Sequence, residues 1–146
     1  MIHTKACPVV LRDPTASKIM AFRHPAAGIQ LVKGTIEPGE RPADAALREL
    51  REESGIANAT VYQDMGLWDA EYEGQVWSFH LCSISQALPE SWSHRCPDDG
   101  GLDLNFFWHD LNSEPSEHWH PLFRRALEFI RSSIKCISGS TTPTGL

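Results

Sequence analysis

Hydrophobic and polar positions mix or alternate in several short stretches of the chain, which is typical of half-buried strands. These stretches predict strands over residues 6–12, 18–23, 28–32, 60–66, 67–72, 75–84 and 106–111. Apolar residues at helical spacing occur between these strands and again near the C-terminus. The order of strands and helices predicts an α/β fold.

The first helix is predicted to begin near Pro42, because proline is favoured in the first turn of a helix. Ala46, Leu47 and Leu50 then supply an apolar stripe at helical spacing. Gly55 is a natural stop, since glycine adopts the left-handed conformation at low cost. A Pro-Gly pair in the preceding loop fits the central positions of a type II turn.

The C-terminal part of the chain combines one more helix with two polar segments. Residues 117–134 carry apolar side chains at helical spacing and predict a helix. Residues 86–105 contain prolines and a Gly-Gly pair and predict a long loop, a feature that is usually functional or disordered. Residues 138–146 are rich in Ser, Thr, Gly and Pro and predict a disordered tail. No linker divides the rest, so residues 1–137 are expected to form a single domain.

Composition and charge narrow the possible classes of function. The chain has 146 residues, of which 41% are hydrophobic and 22% charged, as in an ordinary globular domain. A formal net charge of −6 disfavours broad, nonspecific nucleic-acid binding, so a nucleic-acid partner is not expected. No segment is apolar and long enough for a secretory signal or a membrane span. The four cysteines form no CxxC pair and are expected to be reduced, in a cytoplasmic protein: Cys7, Cys82, Cys96 and Cys136.

Three carboxylates within residues 34–56 are the strongest chemical signal. On the predicted helix, Glu49 and Glu53 are four positions apart and Glu52 is three from Glu49, so all three can face one side. Like charges at this spacing weaken an isolated helix, which favours a functional use. Carboxylate oxygens suit the hard cations Mg²⁺ and Mn²⁺. Such ions would neutralise phosphate oxygens and lower the pKa of a bound water.

Neighbouring residues are candidates for supporting roles at this site. Arg48 and Glu40 can brace the carboxylates through charge-assisted hydrogen bonds, and the carbonyl of Gly34 can add an oxygen ligand. The alternative is that a helix rich in Glu and Arg is only a solvated surface. That alternative does not explain why Gly34, Glu40 and Gly55 stand at fixed distances from the carboxylates.

Residues 34–56 match every specified position of the Nudix box, Gly-x5-Glu-x7-Arg-Glu-U-x-Glu-Glu-x-Gly-U, with leucine and isoleucine as the bulky aliphatic residues U. The chain therefore resembles the Nudix family, whose fold is an α/β/α sandwich with a mixed central sheet. The resemblance implies hydrolysis of a nucleoside diphosphate linked to another moiety, with Mg²⁺ or Mn²⁺ as cofactor. It implies that Glu49, Glu52 and Glu53 are catalytic metal ligands, one of them being a candidate general base. It also implies that Arg48 orients these glutamates.

Substrate choice in the Nudix family depends on residues outside the box. The chain lacks the NADH pyrophosphatase pattern SQPWPFPxS, the coenzyme A pattern and the proline that often follows the box in ADP-ribose hydrolases. Tyr72 lies 16 residues past Ile56, which resembles the tyrosine of the diadenosine polyphosphate subgroup. Tyr72 is therefore a candidate to stack on a base or to bind a phosphate. The alternative is a strand residue packed at the edge of the core.

Four further side chains are candidates for contact with the substrate or the metal. His94, in the long polar segment, is a candidate to contact phosphate or assist proton transfer, and Asp98 or Asp99 to complete a metal shell. Arg23 is a candidate to reach a phosphate across the site. The alternative for each of them is an ordinary solvated surface residue.

Functions from three classes remain open. The favoured one is a pyrophosphohydrolase acting on a nucleotide derivative, with a dinucleoside polyphosphate ahead of a nucleotide sugar or an oxidised or ordinary nucleoside triphosphate. The second is a non-catalytic Nudix module that binds nucleotides, although such a module would not need three glutamates. The third is a partner domain for protein or RNA, for example 5′-triphosphorylated RNA, which the acidic balance disfavours. Nudix relatives are often homodimers, and nothing in the sequence marks an interface.

Overall fold

The structure is a computed structural model that describes residues 3–12, 17–97 and 100–141. Its elements, in chain order, are β1 (His3–Val10), β2 (Lys18–His24), β3 (Gly28–Gln30), β4 (Gly34–Thr35), α1 (Pro42–Ser54), β5 (Ala59–Asp69), β6 (Gln75–Ile84), β7 (Trp92–Cys96), β8 (Leu102–Asp110) and α2 (Pro121–Thr141). The described residues combine helices with strands that pair in both parallel and antiparallel directions, which confirms the predicted α/β class.

The strands form two four-stranded sheets rather than one continuous sheet. The first has the order β4-β1-β6-β5 and is mixed, because β1 and β6 are parallel while the other pairs are antiparallel. The second has the order β3-β2-β8-β7 and is antiparallel throughout. A backbone bridge between Leu11 and Ile19 joins the two sheets where β1 leads into β2.

The two helices cover opposite faces of the β layer that the two sheets form. Successive side chains of a strand point to opposite faces. Cys7 and Val9 of β1 accordingly pack in one buried cluster with Phe123 of α2, whereas Ala6 and Val10 pack in the clusters that contain the buried face of α1. The described architecture is therefore the expected α/β/α sandwich, with the mixed sheet at its centre.

The predicted loop over residues 86–105 is wrong in part, since it contains β7 and the start of β8. Trp92 stacks on Phe106 with ring centroids 5.2 Å apart, and Cys96 and Leu104 are buried. The remaining positions of β7 are polar. In the sequence, a five-residue segment with a polar majority resembles a loop, because the strand with which it pairs is not known. Two glycines with positive φ connect β7 to β8.

Other element boundaries also differ from the prediction. The two predicted strands at 60–72 are one strand, β5, with irregular register near Val61 and Asp64. Helix α2 begins at Pro121, a residue favoured in a first turn, and continues to Thr141. It therefore enters the segment 138–146 for which disorder is predicted, and residues 142–146 lie outside the described part of the chain. Among the described residues, no helix has both the length and the apolar character required to cross a bilayer.

Candidate active site

The loop and helix of residues 34–56 are fixed at both ends of α1. In the loop, Gly39 has a φ of 79°, as the predicted type II turn requires. After the helix, Gly55 has a φ of 84° and its N–H donates to the carbonyl of Arg51. Leu50 is fully buried, so that side of α1 faces the β layer. Charged residues of the box are therefore presented on other sides of the helix.

Arg48 connects the loop to the helix. Its Nε and Nη2 atoms donate to the two carboxylate oxygens of Glu40, each at 2.9 Å, and Nη2 also donates to the carbonyl of Thr35 at 2.9 Å. Its Nη1 atom donates to Glu49 at 2.8 Å and lies 3.4 Å from an oxygen of Glu52. This planar, bidentate arrangement fixes the positions of the acidic partners. The hydrogen bonds that Arg48 donates to Glu40 raise the pKa of Arg48 above its ordinary value.

The ion pair between Glu40 and Arg48 predicts a specific acid sensitivity. Hydrogen bonds from Arg48, followed by one from the backbone of Glu37, lower the pKa of Glu40 from 4.5 to about 2. A carboxyl group with a lowered folded-state pKa stabilises the fold above its ordinary pKa, and this stabilisation is lost as the pH falls toward 2. Urea unfolding at pH 7, 4 and 3 should show a stability difference between wild type and Glu40→Gln that shrinks with acid. A difference independent of pH would contradict this role.

Glu49, Glu52 and Glu53 line one cavity of about 470 Å³ together with Gly34, which we call the glutamate cavity. Glu49 is only 8% exposed, and its carboxylate lies where a side chain on residue 34 would begin. As placed, no three His, Cys, Asp or Glu side chains of the described residues converge to metal-binding distance. The donor set still suits Mg²⁺ or Mn²⁺, because three carboxylates face one cavity and the side chain of Glu52, 40% exposed, can rotate.

Lys33 is a functional candidate that the sequence patterns did not reveal. It lines the glutamate cavity, and its Nζ atom lies 5.1 Å from the ring centroid of Trp77 and 5.7 Å from that of Phe123. Burial, followed by the positive charge of Lys5, lowers the pKa of Lys33. The one available signal in the sequence is that this cation immediately precedes Gly34.

A second cavity of about 210 Å³, which we call the middle cavity, adjoins the glutamate cavity, since Lys33 and Glu53 line both. Five of its nine described lining residues are apolar: Phe22, Leu31, Cys96, Leu102 and Leu104. His24 and Gln30 add two polar groups. Apolar walls with a few polar groups are typical of sites that bind small organic molecules.

The remaining predicted residues lie away from the glutamate cavity. Arg23 lines a third cavity, beyond the middle one. Tyr72 is 44% exposed in the turn between β5 and β6. His94 lies on β7 with its ring against Gly55, at the C-terminal end of α1. Substrate contact by these three residues stays a prediction. Two candidate metal ligands lie outside the described residues: Asp98 and Asp99.

Comparison with known proteins identifies relatives along most of the chain. A family model, the NUDIX domain, matches residues 2–126. An RNA pyrophosphohydrolase of Bartonella quintana is 28% identical over 126 residues, which cover 74% of this chain and 73% of that protein. An ADP-ribose pyrophosphatase of Haemophilus influenzae is 30% identical over 83 residues, which cover 48% of this chain and 38% of that protein.

Solved structures share the fold at low sequence identity. An ADP-ribose pyrophosphatase from Streptococcus suis has a TM-score of 0.69 at 13% identity, covering 94% of this chain and 92% of its own. A NUDIX hydrolase from Nitrosomonas europaea has a TM-score of 0.63 at 18% identity, covering 90% of each chain. The box, the sandwich and the family match agree, so the chain belongs to the Nudix family and is a hydrolase that acts on phosphoric anhydride bonds.

Proposed function

We propose that the chain is a Mg²⁺- or Mn²⁺-dependent pyrophosphohydrolase that cleaves a diphosphate linkage in a nucleotide derivative. The observation that carries this proposal is the placement of Glu49, Glu52 and Glu53 around one cavity beside Gly34. These carboxylates and the carbonyl of Gly34 would hold the metal. When bound, the metal supplies neutralisation of phosphate oxygens and a water of lowered pKa.

The chain's own residues bind and orient the reacting groups. Arg48 holds Glu49 in place and contacts Glu52, so that their oxygens face the diphosphate. Lys33 stands between the glutamate cavity and the middle cavity, where its ammonium group is positioned for a phosphate oxygen. One of the three glutamates accepts a proton from the attacking water, which requires a group within hydrogen-bond reach of that water.

The middle cavity is the proposed site for the nucleoside. A nucleobase has apolar faces and polar edges, which match apolar walls with His24 and Gln30 as polar groups. In this placement the 5′-phosphates extend past Lys33 to the glutamates, since Lys33 and Glu53 line both cavities. The site therefore orders the substrate as nucleoside, then diphosphate, then the second moiety.

Within this class, a dinucleoside polyphosphate is the first substrate to test. Its second nucleoside would lie beyond the glutamate cavity, on the side of the turn between β5 and β6. The Nζ atom of Lys33 lies 5.1 Å from the ring centroid of Trp77, near the start of β6, which supports the nearness of that turn. Tyr72, in the same turn and 44% exposed, is then available to stack on the second base.

A metal-dependent hydrolysis screen tests the proposal. Substrates should include dinucleoside polyphosphates, nucleoside triphosphates and their oxidised forms, ADP-ribose, nucleotide sugars and 5′-triphosphorylated RNA. We expect turnover of at least one nucleotide derivative with Mg²⁺ or Mn²⁺, loss of turnover on chelation and recovery on adding metal back. Nucleotide binding without hydrolysis under all metal conditions would instead support a non-catalytic binding module and contradict the proposal.

Two buried thiols support a cytoplasmic location. Cys7 and Cys82 are free cysteines in the core, and burial raises the pKa of Cys82 to about 12. Protonated, unpaired thiols are typical of proteins in reducing compartments. The partner expected in the cytoplasm is a small nucleotide-type substrate. Homodimer formation stays a prediction.

A further inference from the structure

The third cavity lies at the end of the β2–β3 hairpin and has a volume of about 520 Å³. Its polar side chains are Arg23, His24, Ser116 and His118, and no Asp or Glu belongs to its described lining. The glutamate cavity is the opposite case, with four carboxylates in its wall. The third cavity, which we call the distal cavity, thus has the composition of an anion site.

Arg23 supplies a fixed positive charge to the distal cavity. Its guanidinium lies over the ring of Phe107, 4.1 Å from the centroid, which restricts its orientation. Within the described residues, no carboxylate lies within 4.0 Å of it, whereas Arg12 and Arg95 each have such a partner in Glu90 and Asp103. The donors of Arg23 are therefore available to an anionic ligand, and their planar geometry matches a phosphate group.

His24 adds a donor and joins the distal cavity to the middle cavity. Its Nδ1 atom accepts hydrogen bonds from the backbone N–H groups of Ala26 and Ala27, each at 3.0 Å. The neutral ring must then carry its proton on Nε2, which makes that atom a donor. His24 lines both cavities, so the middle cavity and the distal cavity are adjacent at this residue.

We propose that the distal cavity binds a phosphate attached to the 3′ side of the nucleoside, so that a nucleotide with phosphate on both sides of the ribose binds more tightly than the same nucleotide with 5′-phosphate alone. This inference rests on the proposed function, which places the nucleoside in the middle cavity and its 5′-phosphates at the glutamates. Such a phosphate occurs in 3′-phosphorylated mononucleotides and as the first internucleotide phosphate of a 5′-polyphosphorylated oligonucleotide. The net charge of −6 does not oppose this, because one phosphate in a pocket requires no basic stripe.

Equilibrium binding tests the subsite without turnover. Nucleoside 3′,5′-bisphosphates of the four common bases are compared with the matching 5′-monophosphates by calorimetry in metal-free buffer. We expect at least one bisphosphate to bind about tenfold more tightly than its monophosphate, the size of one charge-assisted contact. Arg23→Gln should abolish this difference. Equal affinities of both ligands for the wild type, or a preference that survives Arg23→Gln, would overturn the subsite.

Arg125→Gln is the matched control. Arg125 is also an exposed arginine over an aromatic ring, 5.5 Å from the centroid of Trp68, but it lies on α2 and does not line the distal cavity. The control should keep the preference for the bisphosphate, because only overall charge and one ring contact are removed. If Arg125→Gln also lost the preference for the bisphosphate, that preference would be due to net charge, and the subsite would be overturned.

Kinetics identify the source of the phosphate. They also distinguish failure of the subsite from failure of the proposed function. Nucleoside 5′-triphosphate, its 3′-phosphorylated form and a 5′-triphosphorylated dinucleotide are compared with Mg²⁺ present. A lower KM for the 3′-phosphorylated form and for the dinucleotide than for the nucleoside 5′-triphosphate supports the subsite. A further decrease in KM for the dinucleotide assigns the subsite to oligonucleotide ends. Metal-dependent hydrolysis with the same KM for all three overturns the subsite and leaves the proposed function intact. Absence of hydrolysis of every nucleotide in the screen overturns the proposed function instead.

Discussion

Replacing Glu52 or Glu53 by Gln is expected to lower kcat by about 10³-fold, since a lost metal ligand removes several kcal/mol of transition-state stabilisation. Both residues line the glutamate cavity and belong to α1, whose buried face is made by other side chains. The substitution keeps the side-chain volume, so the fold should be unchanged. The measurement is kcat at saturating substrate over a range of Mg²⁺ concentrations, with Tm and circular dichroism as checks of folding.

Glu37→Gln provides the matched control for these two variants. Glu37 is exposed and lines the same cavity, so its replacement removes the same charge from the same region. Its effect on kcat should stay within about fivefold, because an exposed charge contributes less than ~1 kcal/mol. An equal loss in all three variants would show that the cavity responds to net charge rather than to specific ligands. Near-wild-type turnover by Glu52→Gln and Glu53→Gln would contradict the assignment of these residues as metal ligands.

The sequence was sufficient to predict the helix and its carboxylates because the relevant information is local. Glu49, Glu52 and Glu53 are separated by three or four positions, and helical geometry alone brings them to one side. The stop at Gly55 is local as well, since it depends on one residue in the left-handed conformation. For these features, no contact between distant segments had to be known.

Contacts between distant segments account for what could not be predicted. His24 and Lys33 lie on separate segments and become neighbours of the middle cavity only when β2 and β3 are placed against α1 and β7. For His94 the contact between distant segments has the opposite effect and places a predicted site residue away from the glutamate cavity. Pairing of β7 with β8 turns its ring toward Gly55 instead. A polar side chain in an apparent loop carries no local sign of which cavity or helix end it will face.

The contact between Gly34 and Glu49 is also long-range, and it gives the second large prediction. Gly34→Ala is expected to lower kcat/KM by about 10²-fold, because displacement of a catalytic group by about 1 Å can have this effect. A Cβ atom on residue 34 would collide with the Glu49 carboxylate, which is nearly buried and held by Arg48 at 2.8 Å. Stability should change by less than about 1 kcal/mol, since Gly34 does not have a positive φ. The measurement is kcat/KM as a function of metal concentration, with a higher metal requirement expected.

A double-mutant cycle with Glu49→Asp distinguishes this collision from other causes. Aspartate is one methylene shorter, so its carboxylate is withdrawn from the space that a Cβ on residue 34 would occupy. If the collision with Glu49 explains the loss, Gly34→Ala should cost much less in the Glu49→Asp background than in the wild type, giving a strongly non-additive cycle. Additive losses would mean that Gly34 acts independently of Glu49, for example through its own carbonyl as a metal ligand, and the steric explanation would then be wrong.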